Sequence, residues 1–222
     1  MENSIKTIHL KLHKKFGDNI EKSLTVLSSN LNESEVKAKA IFLMGEELLK
    51  RTDINETQKE MGLIFNEIFT DITIASYLGY CSIDNSAKVI QRRILELGVA
   101  VIYLWDLPYK YCSWKNYDDY GSDLSFKDML EYLNNRGYLD FINLQNKTNE
   151  TSLIEAENVN KYYRELSNVV HGKSQTFETI DENCFEYSEE DLKKVTKTTI
   201  RIENIIISML KKRFPTEYSI VE

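Results

Sequence analysis

A chain of 222 residues with a formal net charge of −7 has room for one helical domain, or for a domain with an added helical hairpin. Hydrophobic residues make up 42%, enough for a core, but 2 prolines and 8 glycines are too few for the tight turns of a sheet-rich fold. The acidic balance argues against non-specific duplex binding, which needs a broad basic face, and leaves room for a local phosphate site.

No apolar run reaches the ~18 residues of a membrane span. The N-terminus, MENSIKTIHLKLHKK, has no signal-peptide hydrophobic block. A cytoplasmic protein that does not engage a membrane is expected. Cys81, Cys112 and Cys184 are widely spaced and form no Cys-x-x-Cys pair, so reduced thiols are expected rather than a zinc ribbon.

In chain order, residues 4–29 and 33–51 carry apolar residues at helical spacing. Ile5, Ile8, Leu12 and Phe16 form one stripe; Val36, Ala40, Leu43 and Leu48 form another. Asn32–Glu35 reads as a helix start, because short polar side chains cap free N–H groups. Residues 56–80 carry a further stripe through Met61, Phe65, Ile68 and Ile72. The clearest helix runs from a cap at Asp84–Ser86 to about Leu107, where Pro108 stops it. It is apolar on nearly all sides after Glu96, as a central buried helix would be.

Residues 108–124 read as an aromatic loop or broken helix. Ser125 with Asp128 opens a short helix to Leu133, and residues 140–150 read as a polar surface connection. A helix follows from about Ser152 to Val170, with Gly172 placed to supply a left-handed cap. After an irregular crossing over 174–187, Ser188 caps a last helix of about 25 residues. Its stripe is Val195, Thr199, Ile202, Ile206 and Met209. The expected architecture is an all-α helical bundle over 55–222, with residues 1–54 as an N-terminal hairpin or arm.

One segment carries residues suited to chemistry. Arg164 and His171 lie seven positions apart, two turns, so they share a helix face about 10 Å apart along the axis. Asn168 sits between them and Ser167 borders the face, while Lys173 follows. The ridge therefore offers a cation, an amide, a hydroxyl and an imidazole, the groups that metal-independent RNA cleavage needs. A 2′-hydroxyl must lose a proton, the 5′-oxygen must gain one, and the phosphate gathers charge in between. An imidazole serves as acid or base near neutral pH, and a guanidinium clamps phosphate. The chemistry needs no metal or cofactor.

Arg164, six residues, then His171 near a helix C-terminus resembles the Arg-x(4–6)-His motif of the HEPN superfamily (higher eukaryotes and prokaryotes nucleotide-binding). The phrase LSNVVHG is similar to Leu-Ser-x-x-x-His stretches in bacterial HEPN families linked to abortive infection. Arg93-x-x-Glu96 resembles the Arg-x-x-Glu helix of such proteins. Two short segments carry the likeness, which spans about 55–213. It implies a helical bundle of HEPN type, a homodimer with facing motifs, and an endoribonuclease used as a toxin or antiviral-defence effector, with an antitoxin or defence subunit as a partner protein. Arg164, His171 and Asn168 would be the catalytic set. Glu165 stands where the family often has Asn, Asp or His, and six intervening residues are the upper limit of its spacing.

Plainer roles compete with these. His171 could be a histidine favoured by the helix dipole. Arg164 could pair with Glu157 or Glu165. Arg93 and Glu96 could form an internal bridge, or one of them could orient His171. His9 and His13 have the spacing of a metal pair but sit among lysines. The aromatic loop, with Tyr109, Tyr111, Trp114, Tyr117 and Tyr120, could cover the bundle end, join two protomers or stack on bases. A non-catalytic HEPN-like module that binds a nucleotide or a partner protein is the alternative function, and a purely structural subunit a third.

Overall fold

The apolar run after Glu96 decides the architecture. In α5 (Asp84–Trp105) every residue from Gly98 to Trp105 is buried, so helices must surround it. The computed structural model describes residues 5–26, 28–173 and 185–222. Among these it has eleven α-helices and no strand, as the sequence pattern predicts, and no helix long and apolar enough to cross a membrane.

Four helices make the central bundle: α2 (Ser28–Leu49), α4 (Ile64–Tyr80), α5 and α10 (Glu189–Arg213). α5 and α10 run parallel in a register held at three levels. Gln91 Nε2 donates to the Val195 carbonyl and to Thr199 Oγ1, both at 2.9 Å. A Cβ at Gly98 would lie 2.5 Å from Ile206 Cδ1, so only glycine allows this approach. At the far end the Arg213 guanidinium donates to both Asp106 oxygens, at 3.0 and 2.7 Å. Arg213 is 2% exposed. The predicted α10 stripe is buried throughout, and Ser188 caps the helix by accepting from Asp191 N–H.

The smaller helices close the ends. α3 (Glu56–Gly62) and α6 (Pro108–Asn116) pack together and against α5, and α7 (Phe126–Leu133) packs on α5 beside α8 (Arg136–Asn146) and α9 (Ala156–Val170). α11 (Pro215–Val221) lies on α2 and α10. The stretch predicted as one helix over 56–80 is two, broken at Leu63; α3 opens with an Asn55–Gln58 capping box. Residues 140–146 are helical rather than a surface connection, and Asn146 Nδ2 donates to the Lys212 and Arg213 carbonyls that α10 leaves free.

The division at residue 54 does not follow the core. Ala38, Ile41, Met44 and Leu48 of α2 share one buried cluster with α4, α5 and α10, while Val36 of the expected stripe is 68% exposed. Asn32–Glu35 lies inside α2, and Ser34 is buried against α10. α1 (Ile5–Val26) behaves differently: Ile5 and Ile8 are exposed, and polar contacts hold the helix. Asn19 Nδ2 donates to the Cys81 and Phe185 carbonyls, and Lys15 pairs with Glu186 at 2.6 Å. Cys81 is buried and Cys112 exposed, both free thiols; Cys184 and the 174–184 part of the predicted crossing lie outside the described residues.

Two interior charges make stability predictions. Removing Asp106 leaves the Arg213 guanidinium buried without its carboxylate. Asp106→Ala should cost about 3–5 kcal/mol in urea unfolding. Glu203 is fully buried, with Oε1 accepting from Ser34 at 2.8 Å and Oε2 without a partner among the described residues. Burial pushes its carboxyl up to about 8, with Lys37 acting in the opposite direction. The folded chain then holds a proton that the unfolded chain releases, so this contribution is full below the ordinary carboxylate range and is lost as pH rises toward 8. The slope should approach roughly 1.4 kcal/mol per pH unit within that window. Glu203→Gln should flatten the decline measured by urea unfolding between pH 5 and 8; an unchanged slope would contradict the assignment.

Candidate functional site

α9 starts later than its sequence pattern suggests, because Asn134 holds the residues before it. Its Oδ1 accepts from the N–H groups of Leu153 and Ile154 at 3.0 and 3.2 Å, and its Nδ2 donates to the Ile154 carbonyl at 2.7 Å. The amide takes up the Ile154 carbonyl and caps two N–H groups that the first turn of a helix from Ser152 would leave free. The other end stops as Gly172 predicts. Gly172 has φ 58°, its N–H donates to the Val169 carbonyl, and Lys173 N–H donates to the Asn168 carbonyl. These two bonds are a Schellman motif with His171 at the C-cap.

The rotation of α9 is set by Tyr163. Its ring stacks on Phe126 with centroids 4.0 Å apart. Its hydroxyl donates to Glu96 Oε1 at 2.9 Å and accepts from Arg92 Nη2 at 2.8 Å. Arg92 also pairs with Glu96 one turn away on α5, at 3.0 Å. Burial, reinforced by the Glu96 carboxylate, pushes the Tyr163 phenol above its ordinary value, so it stays protonated and donates. Val159 and Leu166 are buried beside this anchor. The flank with Arg164, Asn168 and His171, about 80–140° round the helix from Tyr163, turns toward solvent.

Arg164 and His171 are both exposed. Among the described residues neither side chain has a hydrogen-bond or ion-pair partner, so the pairing of Arg164 with Glu157 or Glu165 does not form. Arg51, Arg92, Arg93, Arg136 and Arg213 all pair with carboxylates, and Arg201 lies over the Tyr162 ring at 3.9 Å. Arg164 is the exception among the described arginines. Asn168 is half-buried between the two, and Lys173 is exposed just beyond.

Three supporting residues fall differently from expectation. Arg93 does not pair with Glu96 or reach toward His171: it donates to Asp71 at 2.5 and 2.6 Å and to Glu67 at 2.5 Å, on α4. Asp71 is 2% exposed and needs a cation there. Glu96 takes the neighbouring arginine instead and reaches α9 at Tyr163, not at His171. Ser167 is buried, and its hydroxyl donates to the Tyr163 carbonyl at 2.6 Å, which removes it from the exposed ridge.

Other candidates separate as well. His9 and His13 are exposed on α1, and among the described residues no group of three His, Cys, Asp or Glu gathers to hold a metal ion. Tyr111 is buried and donates to Glu60 at 3.0 Å, with Trp114 beside it, whereas Tyr109, Tyr117 and Tyr120 project into solvent. A cleft not anticipated from sequence opens between α9 and α10, with a volume of 310 Å³. Tyr162, Arg201, Asn204 and Ser208 face it. The i, i+3, i+7 spacing of the last three was the available signal, overshadowed by the apolar stripe on the same helix.

No protein-family model, no curated protein and no solved structure matches this chain.

Replacing Tyr163 by Phe keeps the ring stack and removes both hydroxyl contacts. We expect Tyr163→Phe to lower stability by about 1–2 kcal/mol in urea unfolding. No loss would mean that Arg92 and Glu96 position α9 without it.

Proposed function

We propose that this chain is a metal-independent endoribonuclease of HEPN type that acts as a toxin or antiviral-defence effector. The observation that carries the reading is the pair Arg164 and His171, exposed on one face of α9 and without side-chain partners among the described residues. A core histidine and a structural arginine would both be engaged. An unengaged pair on a helix anchored by Tyr163 is available to a ligand.

The proposed chemistry is transesterification within one RNA strand. The 2′-oxygen loses its proton to an imidazole and bonds to the adjacent phosphorus. The bond from phosphorus to the 5′-oxygen breaks, and that oxygen takes a proton from a second acid. The products are a 2′,3′-cyclic phosphate and a 5′-hydroxyl. His171 supplies the imidazole, and Arg164 stabilises the charge that collects on the phosphate. Asn168 is the positioning donor. Among the described residues the cavities beside α9, α10 and α6 are not lined by Arg164 or His171. A homodimer with facing α9 ridges would enclose the scissile phosphate and supply the second acid from the other protomer.

The reading predicts RNA cleavage in EDTA, with cyclic phosphate ends that resist phosphatase until acid opens the ring and then shift in mobility. His171→Ala should lose roughly 100-fold or more, and Arg164→Ala a comparable factor. Equal cleavage by His171→Ala would sink the proposal. A stable RNA complex without any cleavage would instead assign the ridge to a non-catalytic binding module.

A further inference from the structure

The α9–α10 cleft lies on a different side of α9 from Arg164 and His171. Its floor is apolar, from Val159, Ile205 and Met209. On its α10 wall Arg201, Asn204 and Ser208 stand at successive turns, all exposed. Among the described residues Asn204 and Ser208 have no side-chain hydrogen-bond partner, and Arg201 has no carboxylate. Arg201 lies over Tyr162 instead, 3.9 Å from the ring centroid. Lys212 closes one end, donating to the Ser152 carbonyl at 2.8 Å with Glu150 at 3.8 Å.

The cleft does not stop at Arg201. A second open hollow of 360 Å³ shares Arg201 and Asn204 and continues along α10 to Lys197, which also has no carboxylate partner among the described residues. Glu33 borders that hollow and is paired with Lys37 at 2.8 Å. From Lys197 to Lys212 the α10 face is about 22 Å long. Cations therefore recur along one apolar-floored groove, with Glu155 lining its Lys212 end and a ring-and-guanidinium platform between the cations. An aromatic face and a guanidinium plane both accept stacked bases, and spaced cations suit successive phosphates.

We infer that this groove binds single-stranded RNA, with one base stacked at Tyr162–Arg201 and flanking phosphates near Lys197 and Lys212. The choice of RNA rests on the ribonuclease reading; the groove itself does not. Its elongation favours a strand over a free nucleotide, although the two share base and phosphate chemistry.

Fluorescence anisotropy of a labelled ten-nucleotide single-stranded RNA on full-length protein carrying His171→Ala tests this without turnover. Adding Arg201→Glu should weaken binding about tenfold or more, and Tyr162→Ala should do the same while Tyr162→Phe does not. Lys197→Glu, also an exposed site, should weaken binding and reduce its salt dependence. Unchanged affinity in Arg201→Glu and Tyr162→Ala, with melting curves intact, would overturn the inference. Competition by adenosine monophosphate as strong as that by unlabelled oligomer would assign the groove to a free nucleotide and overturn the strand. Cleavage by the wild-type chain is a separate readout. Its absence with Arg201-sensitive binding leaves the groove standing and removes the nuclease, and the reverse result does the opposite.

Discussion

The exposed ridge on α9 depends on where Tyr163 is held. Successive helical residues point about 100° apart, so anchoring one side chain orients all the others. Phe126 fixes the ring and the Arg92–Glu96 pair fixes the hydroxyl. With Tyr163 turned inward, Arg164 lies about 100° further round on the exposed flank, and His171, two turns later, lies there with it. The Schellman motif then ends the helix at His171, so the imidazole sits at the C-cap of α9. Glu96, Glu67 and Asp71 are committed to Arg92 and Arg93, so none of these carboxylates neutralises Arg164.

That anchor is only as rigid as α5, and α5 is set by α10. Gln91, Gly98 and Asp106 each meet α10 about two turns apart, with a polar contact at either end and close backbone approach between. Polar groups inside a bundle specify register because leaving them unpaired is costly. Glu203 is the imperfect member, with one oxygen bonded to Ser34 and the other without a partner among the described residues. It ties α2 to the same helix at the cost of a pH-dependent stability.

Much of this was legible in the sequence where one helix sufficed to decide it. The α10 stripe, the Ser188 cap, the buried half of α5 and the Gly172 cap are all local signals, and each matches the structure. The joint exposure of Arg164 and His171 also followed from their spacing. What was not legible required knowing which helix lies alongside. Arg92 and Arg93 are adjacent on α5, and only the positions of α9 and α4 decide that Glu96 takes the first and Asp71 the second. Asn134 and Asn146 looked like loop residues, yet they bond backbone groups 20 and 66 positions away. The α1 stripe misled because periodicity reports an apolar face, not what covers it.

The central claim is that Arg164 and His171 together engage an RNA phosphate. His171 is one of only 3 histidines, and His9 and His13 lie on α1, so imidazole resonances can be resolved by NMR. The direct test is a titration with an RNA made non-cleavable by a 2′-deoxy substitution at the scissile position. The account predicts that the His171 ring signals shift on saturation, that those of His9 and His13 do not, and that Arg164→Ala abolishes the shift. Saturated binding with an unmoved His171 signal would contradict it.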